Sequence, residues 1–175
     1  MTELETVRRF YRLNSRMRRK YLRTLVALPR EERLKDRGAS FGSLQEIYVH
    51  VLDGLRWWFE FIPENRAEEA SQYPAREMTP DQLAAVTDAV DRAVFQFLDK
   101  LVEDDLGAEI VLHYVEDGKA VDMRLPTSDL VWHMVEEELQ HRGELNAILW
   151  QLGVEPPIGQ IEDWNAAKSS TDYLK

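Results

Sequence analysis

Residues 130–152 read LVWHMVEEELQHRGELNAILWQL, and the apolar positions Leu130, Met134, Leu145, Ile148 and Leu152 recur along it at steps of three and four. That spacing is the stripe of one face of an α-helix. Glu137 and His141 fall in the same register and interrupt it. An ionised carboxylate on a buried face is costly unless hydrogen bonds or a cation compensate it, so the interruption marks a candidate site. Residues four apart on a helix differ by about 40° in direction and roughly 6 Å in height, so Glu137 and His141 can converge on one ion. A third group, His50, is the only histidine in another apolar helical segment, IYVHVLDGLRWWFEFI at 47–62. Two imidazoles and one carboxylate leave a coordination position open, as in catalytic rather than structural sites. Such a set accepts one divalent ion, with zinc, nickel and iron all suited to it. The plain alternative is a hydrogen-bonded core histidine and a solvated Glu–His pair; the coincidence of the three on two seams is what argues for a metal.

Outward from this helix the chain divides readily. A first helix runs from about Thr2 to Leu28, with a seam of Val7, Phe10, Asn14, Met17, Tyr21, Thr24 and Leu28. Pro29 and the charged residues after it end that helix, and Gly38 to Gly42 form a loop. Ser43, with Glu46 three residues on, caps a second helix expected to reach Ile62. Residues 63–78 read as a connection. Thr79, Pro80 and Asp81 then open a third helix whose seam of Leu83, Val86, Val90, Val94, Phe97 and Leu101 carries no acid or imidazole. Between Glu109 and Leu125 the period falls towards two, around the turn residues Glu116 to Lys119, which predicts a β-hairpin. Pro126 to Asp129 open the fourth helix, and Gly153 with Pro156 and Pro157 closes it. The expected architecture is all-α, a four-helix bundle with a small β-hairpin before the last long helix. A single domain covers 1–175, with a partly irregular tail from about 158, polar apart from Ile161, Trp164, Tyr173 and Leu174, whose aromatics are expected to dock it on the body.

The 175 residues carry a net charge of −10, unevenly placed. Residues 1–40 hold 12 Lys and Arg against 5 Asp and Glu, whereas residues 41–175 hold 10 against 27. Pairing of the basic first helix with acidic neighbours is favoured over a nucleic-acid patch, because the rest of the chain would repel a polyanion. No apolar run approaches the roughly 20 residues that span a bilayer, and the N-terminus lacks a signal-peptide pattern, so no membrane partner and a cytoplasmic location are expected. The absence of cysteine removes disulfides, thiolate nucleophiles and Cys-ligated zinc.

Several further residues bear on the site. His133 lies on nearly the same stripe as Glu137 and is a candidate proton carrier, substitute ligand or packing residue. Gly54 and Gly143 each cost about 1 kcal/mol relative to Ala in a helix, which close approach or space for a substrate would explain. Asn14 either faces the site or specifies packing. Asp53 and Glu46 flank His50 at helical spacing, as ligand-orienting groups or solvated acids. Trp57 and Trp58 read as core or pocket walls, and His113 as structural. Glu138 and His141 have the Glu-x-x-His spacing of di-iron bundles, but the companion glutamates are missing from the first and third helices.

The second-helix His50 and the run His141, Arg142, Gly143, Glu144, Leu145 resemble the two diagnostic regions of the DinB/YfiT-like superfamily of four-helix-bundle metalloproteins. The likeness in helix order covers nearly the whole chain. It implies an up-down-down-up bundle and a divalent ion held by His50, Glu137 and His141. The usual pattern has two histidines four apart before Arg-Gly, and here Glu137 takes the first position. Characterised relatives include thiol-dependent transferases and isomerases, so the resemblance implies transferase or hydrolase chemistry on a small-molecule substrate, with a low-molecular-weight thiol as co-substrate, and a homodimer. The rival reading is a non-catalytic stress-response or interaction module with a structural or vestigial ion. DNA association, suggested by the family name and the basic first helix, predicts salt-sensitive binding.

Overall fold

The computed structural model describes residues 1–64, 66–116 and 119–168. Asp117 and Gly118 of the expected turn, and Tyr173 and Leu174 of the tail, lie outside them. Helix α1 (Glu3–Ala27) starts at a reciprocal cap in which the Thr2 hydroxyl accepts from the Glu5 amide and the Glu5 carboxylate accepts from the Thr2 amide. Pro29 ends α1, but the residues after it form a short helix, α2 (Arg30–Leu34), rather than loop. Glu31 and Glu32 in its first turn favour the positive end of the helix dipole. The following loop turns through Gly38 (φ 70°) and Gly42 (φ 84°), backbone conformations that disfavour any other residue.

Helix α3 (Leu44–Arg56) is capped by the Ser43 hydroxyl. The expected helix to Ile62 changes form at Trp57: residues Trp57–Phe61 make a π-helical turn, closed by the Ile62 amide donating to the Trp57 carbonyl at 3.0 Å. Such a widened turn is frequent beside functional sites. Helix α4 (Pro80–Lys100) opens on the Thr79–Gln82 capping box with Pro80 in its first turn. Strands β1 (Glu109–Glu116) and β2 (Lys119–Pro126) pair antiparallel, Glu109 opposite Pro126 and Glu116 opposite Lys119. Helix α5 (Thr127–Gln151) follows directly, and Gly153 at φ 69° turns the chain out of it. The tail contains a short helix, α6 (Ile161–Ala166), which Trp164 docks against Phe10 at 5.0 Å between ring centroids. Ile161 is exposed.

Side-chain contacts fix the helix directions. Arg8 reaches the carbonyls of Leu98 and Leu101 while Arg19 reaches Asp88, so α1 and α4 run antiparallel. Tyr11 meets Val131, Arg18 meets Glu138 and Tyr21 meets Asn146, so α1 and α5 run parallel. Gly54 lies against Met134 and Trp58 against His133, while His50 lies beside Glu137 and His141, so α3 opposes α5. The result is an up-down-down-up four-helix bundle with the hairpin inserted before the last long helix. Its core is the apolar faces of the four long helices, with Tyr11, Leu52, Leu83, Leu130 and Leu149 among the fully buried side chains.

Two seams differ from the sequence expectation, and at Arg18 and Asp91 the reason is charge pairing. The buried stripe of α1 includes Tyr11, Arg18 and Leu25 in place of Phe10, Thr24 and Leu28, and that of α4 includes Asp91, which is fully buried. Asp91 accepts from Ser15, Arg18 and Arg19, and Arg18 also donates to Glu138 of α5 at 2.6 Å. A charge enters the core when its partners come with it. The expectation that α4 carries no acid on its seam therefore fails at Asp91. Lys20 and Arg16 pair with Asp163 of the tail, so many cations of α1 are matched by acids within the fold.

Candidate metal centre

Helices α3 and α5 pack antiparallel, and this brings His50 to the level of Glu137 and His141. Each of the three offers a ligand atom, and these atoms lie within 4.8 Å of one another. Glu137 Oε2 stands 3.1 Å from His141 Nε2 and 3.9 Å from His50 Nε2, between the two rings. Donors bound to one cation at ~2.0–2.2 Å sit about 3.4 Å apart, so a small closing motion completes the set. Glu137 has the freedom for it, with a third of its side chain exposed. His141 is buried and His50 is half-buried. Burial, and then the nearby His141 ring, push the His50 imidazole below its usual pKa, against the opposing pull of Glu137 and Glu144. A neutral imidazole is the form that ligates. The donor set thus fits a divalent cation.

Glu137 stands at the edge of the α5 seam and not on its buried part, contrary to the expectation from periodicity. The buried acid is its neighbour Glu138, whose Oε2 accepts from Arg18. Glu138 is thereby committed to the core, and the Glu-x-x-His reading of Glu138 with His141 falls away.

The surroundings also differ from expectation. Phe41, from the glycine-flanked loop before α3, stacks on His50 with ring centroids 3.6 Å apart and presents an edge to His141 at 5.5 Å. His141 Nδ1 donates to Glu144 Oε2 at 2.7 Å, and the Ser40 hydroxyl donates to the same oxygen at 2.8 Å. Burial raises the Glu144 pKa, but the bonds from His141 and Ser40 outweigh it and hold the carboxyl below the usual range. Neither Phe41 nor the Ser40–Glu144 contact is visible in a periodicity; the only sequence hint was Glu144 at the i+3 position from His141.

Two open clefts meet at His50. One, of about 400 Å³, is lined by Phe41, Glu46, Asp53, Tyr73 and Arg76 among others; the second, of about 330 Å³, by Asp53, Gly54, Arg56, Trp57 and Gln72. Asp53 faces both. One of its oxygens accepts from the Tyr73 amide, and burial raises its pKa against the lowering effect of that bond and of Arg56. Glu46 is taken by Ser43 and Arg76, so neither acid orients a ligand of the trio. Trp57 is a cleft wall, and Trp58 packs on the core and against His133 at 5.7 Å. Among the described residues no hydrogen bond joins His133 to the trio; it lies ~12 Å from His141 along the axis of α5. Asn14 is buried at the α1–α5 interface, where its carbonyl accepts from Arg142, and it is not part of the trio. His113 pairs across the hairpin with Asp122 at 2.7 Å, an exposed structural contact. A Cβ on Gly54 would stand 3.4 Å from Met134 Cε, an ordinary contact, so close approach does not require the glycine; it does line the second cleft, where space for a substrate applies. Gly143 has no heavy atom within 4 Å of where a Cβ would sit, so close approach does not explain it.

The chain matches the model of the DinB family over residues 1–168 and belongs to that family. No curated protein matches it. No helix of the described residues is long and apolar enough to cross a membrane.

Proposed function

We propose that this member of the DinB family is a divalent-metal-dependent enzyme acting on a small molecule, with the cation held by His50, Glu137 and His141. The observation that carries the reading is the approach of their ligand atoms to within 4.8 Å, from two helices, beside open clefts. A structural ion is usually closed off by four protein ligands, and solvent access at His50 favours catalysis over the interaction-module reading. Zinc, nickel and iron remain the candidate metals.

When bound, the cation would supply Lewis acidity, lowering the pKa of a thiol or water. The protein's own part is to present two imidazole nitrogens and a mobile carboxylate, to cover one face of His50 with Phe41, and to leave the cleft side open. With no cysteine in the chain, a thiol must arrive as a co-substrate. S-transfer with a low-molecular-weight thiol, or hydrolysis, completes the proposal. His133 is the proposed proton carrier, acting through solvent: His133→Gln should lower turnover with metal content intact, and unchanged turnover removes it from the scheme. A cytoplasmic homodimer is part of the same reading, supported by the exposed apolar side chains Leu139, Trp150, Ile158 and Ile161; sedimentation at monomer mass would exclude the dimer.

The deciding experiment is metal analysis of protein purified without a histidine tag, repeated on His50→Ala, Glu137→Ala and His141→Ala. Stoichiometric metal in the wild type and its loss in the variants supports the assignment. Equal content in all four proteins defeats it.

A further inference from the structure

Glu144 is not among the proposed ligands, yet its Oε2 collects two hydrogen bonds that together frame the site. One comes from Nδ1 of His141 at 2.7 Å and the other from the hydroxyl of Ser40 at 2.8 Å. The two ring nitrogens of His141 thus face two carboxylates, Glu144 at Nδ1 and Glu137 at Nε2, and the second contact is longer at 3.1 Å. A neutral imidazole has one proton to give. The contact to Glu144 is the shorter by 0.4 Å, so Nδ1 is the nitrogen that donates. The proton therefore resides on Nδ1, and the lone pair of Nε2 is left towards His50 and Glu137, the side where a cation would sit.

Ser40 adds a second consequence. It immediately precedes Phe41, whose ring lies on His50. The loop that carries both residues turns at Gly38 and Gly42, each at positive φ, and is closed by the Ala39–Gly42 bridge. The hydroxyl bond to Glu144, across 104 residues of chain, ties this loop to α5 beside the edge contact of Phe41 with His141. One oxygen atom thus orients a ring on α5 and anchors the cover over a ring on α3.

We propose that Glu144 is a positioning residue, which fixes the His141 tautomer with Nε2 bare and, through Ser40, holds Phe41 over His50. The proposal rests on the reading of His141 as a ligand, but one of its readouts does not require metal. Long-range proton–nitrogen NMR of the metal-free protein at mildly alkaline pH reports which imidazole nitrogen carries the proton. Wild type and Glu144→Gln should both show His141 protonated at Nδ1, because the amide oxygen of glutamine still accepts from the ring and from Ser40. Glu144→Ala should shift the ring towards the other tautomer or a mixture. Calorimetric titration with zinc should show affinity about 10- to 100-fold weaker in Glu144→Ala and largely restored in Glu144→Gln. Ser40→Ala should keep the tautomer and lose the close Phe41–His50 proton contacts. An unchanged tautomer in Glu144→Ala overturns the proposal, as does unchanged zinc affinity where the wild type binds zinc. If the wild type binds no zinc, nickel or iron, the metal assignment fails by itself, and the tautomer alone decides the role of Glu144.

Discussion

Glu137 and Glu138 are adjacent in the chain and face opposite chemistries. Successive residues on a helix diverge by about 100°, so Glu137 stands at the cleft between two imidazoles while Glu138 is buried against Arg18. The two carboxylates should therefore answer to different measurements. Glu138→Ala strips Arg18 of one of its two buried partners and should cost about 3 kcal/mol in urea unfolding. Glu137→Ala, one-third exposed, should unfold within about 1 kcal/mol of wild type and register instead in metal content.

Binding of a cation to the native state alone raises apparent stability. Zinc at about 100 times its dissociation constant should add about 2.7 kcal/mol to the wild type, seen as a higher melting temperature. The same addition should leave His141→Ala unmoved. A comparable rise in that variant would mean that the ion binds elsewhere.

Asp163 ties the tail to α1 through Lys20 at 2.6 Å. Burial raises its pKa, but the Lys20 bond, the Gln160 amide and Arg16 prevail and hold it below the usual aspartate value. A depressed folded-state pKa means stability that is complete above the unfolded value of about 3.9 and lost as pH falls through the lower folded value. Acidification should therefore release α6 from α1 in that window, detected as a change in Trp164 emission, with the other tryptophans replaced by phenylalanine. Asp163→Asn should abolish the acid step and show the released signal at neutral pH.

Gly143 meets open space where a Cβ would lie, and its φ is unexceptional. Gly143→Ala should thus gain about 1 kcal/mol of stability from helix propensity with no loss of metal. A destabilised variant would show that the glycine serves a contact absent from this conformation.

How much of this was legible in the sequence depends on the range of the interactions involved. The caps at Ser43 and Thr79, the hairpin and the stop at Gly153 are set by residues within a few positions of each other, and they appear where the pattern places them. The His50, Glu137 and His141 convergence was readable because the i, i+4 spacing puts Glu137 and His141 on one side of a helix and a buried imidazole such as His141 demands a partner. Asp91 and Arg18 were not, because each is permitted in the core only by the other, 73 residues away. Hydrophobic periodicity reports what a position avoids, and a neutralised pair no longer avoids the interior. The π-helical turn at Trp57 and the stacking of Phe41 on His50 depend likewise on tertiary packing, which leaves no local signature.

Arg18, Asp91 and Glu138 join α1, α4 and α5 by buried charge, whereas no lysine or arginine pair among the described residues ties α3 to the other long helices. Three rods are riveted and the fourth is seated by oily contacts and the Tyr48 hydroxyl. His50 rides on that fourth rod, while Glu137 and His141 ride on the frame. The grip thus has two adjustable members, the loosely seated rod that carries His50 and the partly exposed side chain of Glu137, set against a frame that buried charge holds fixed.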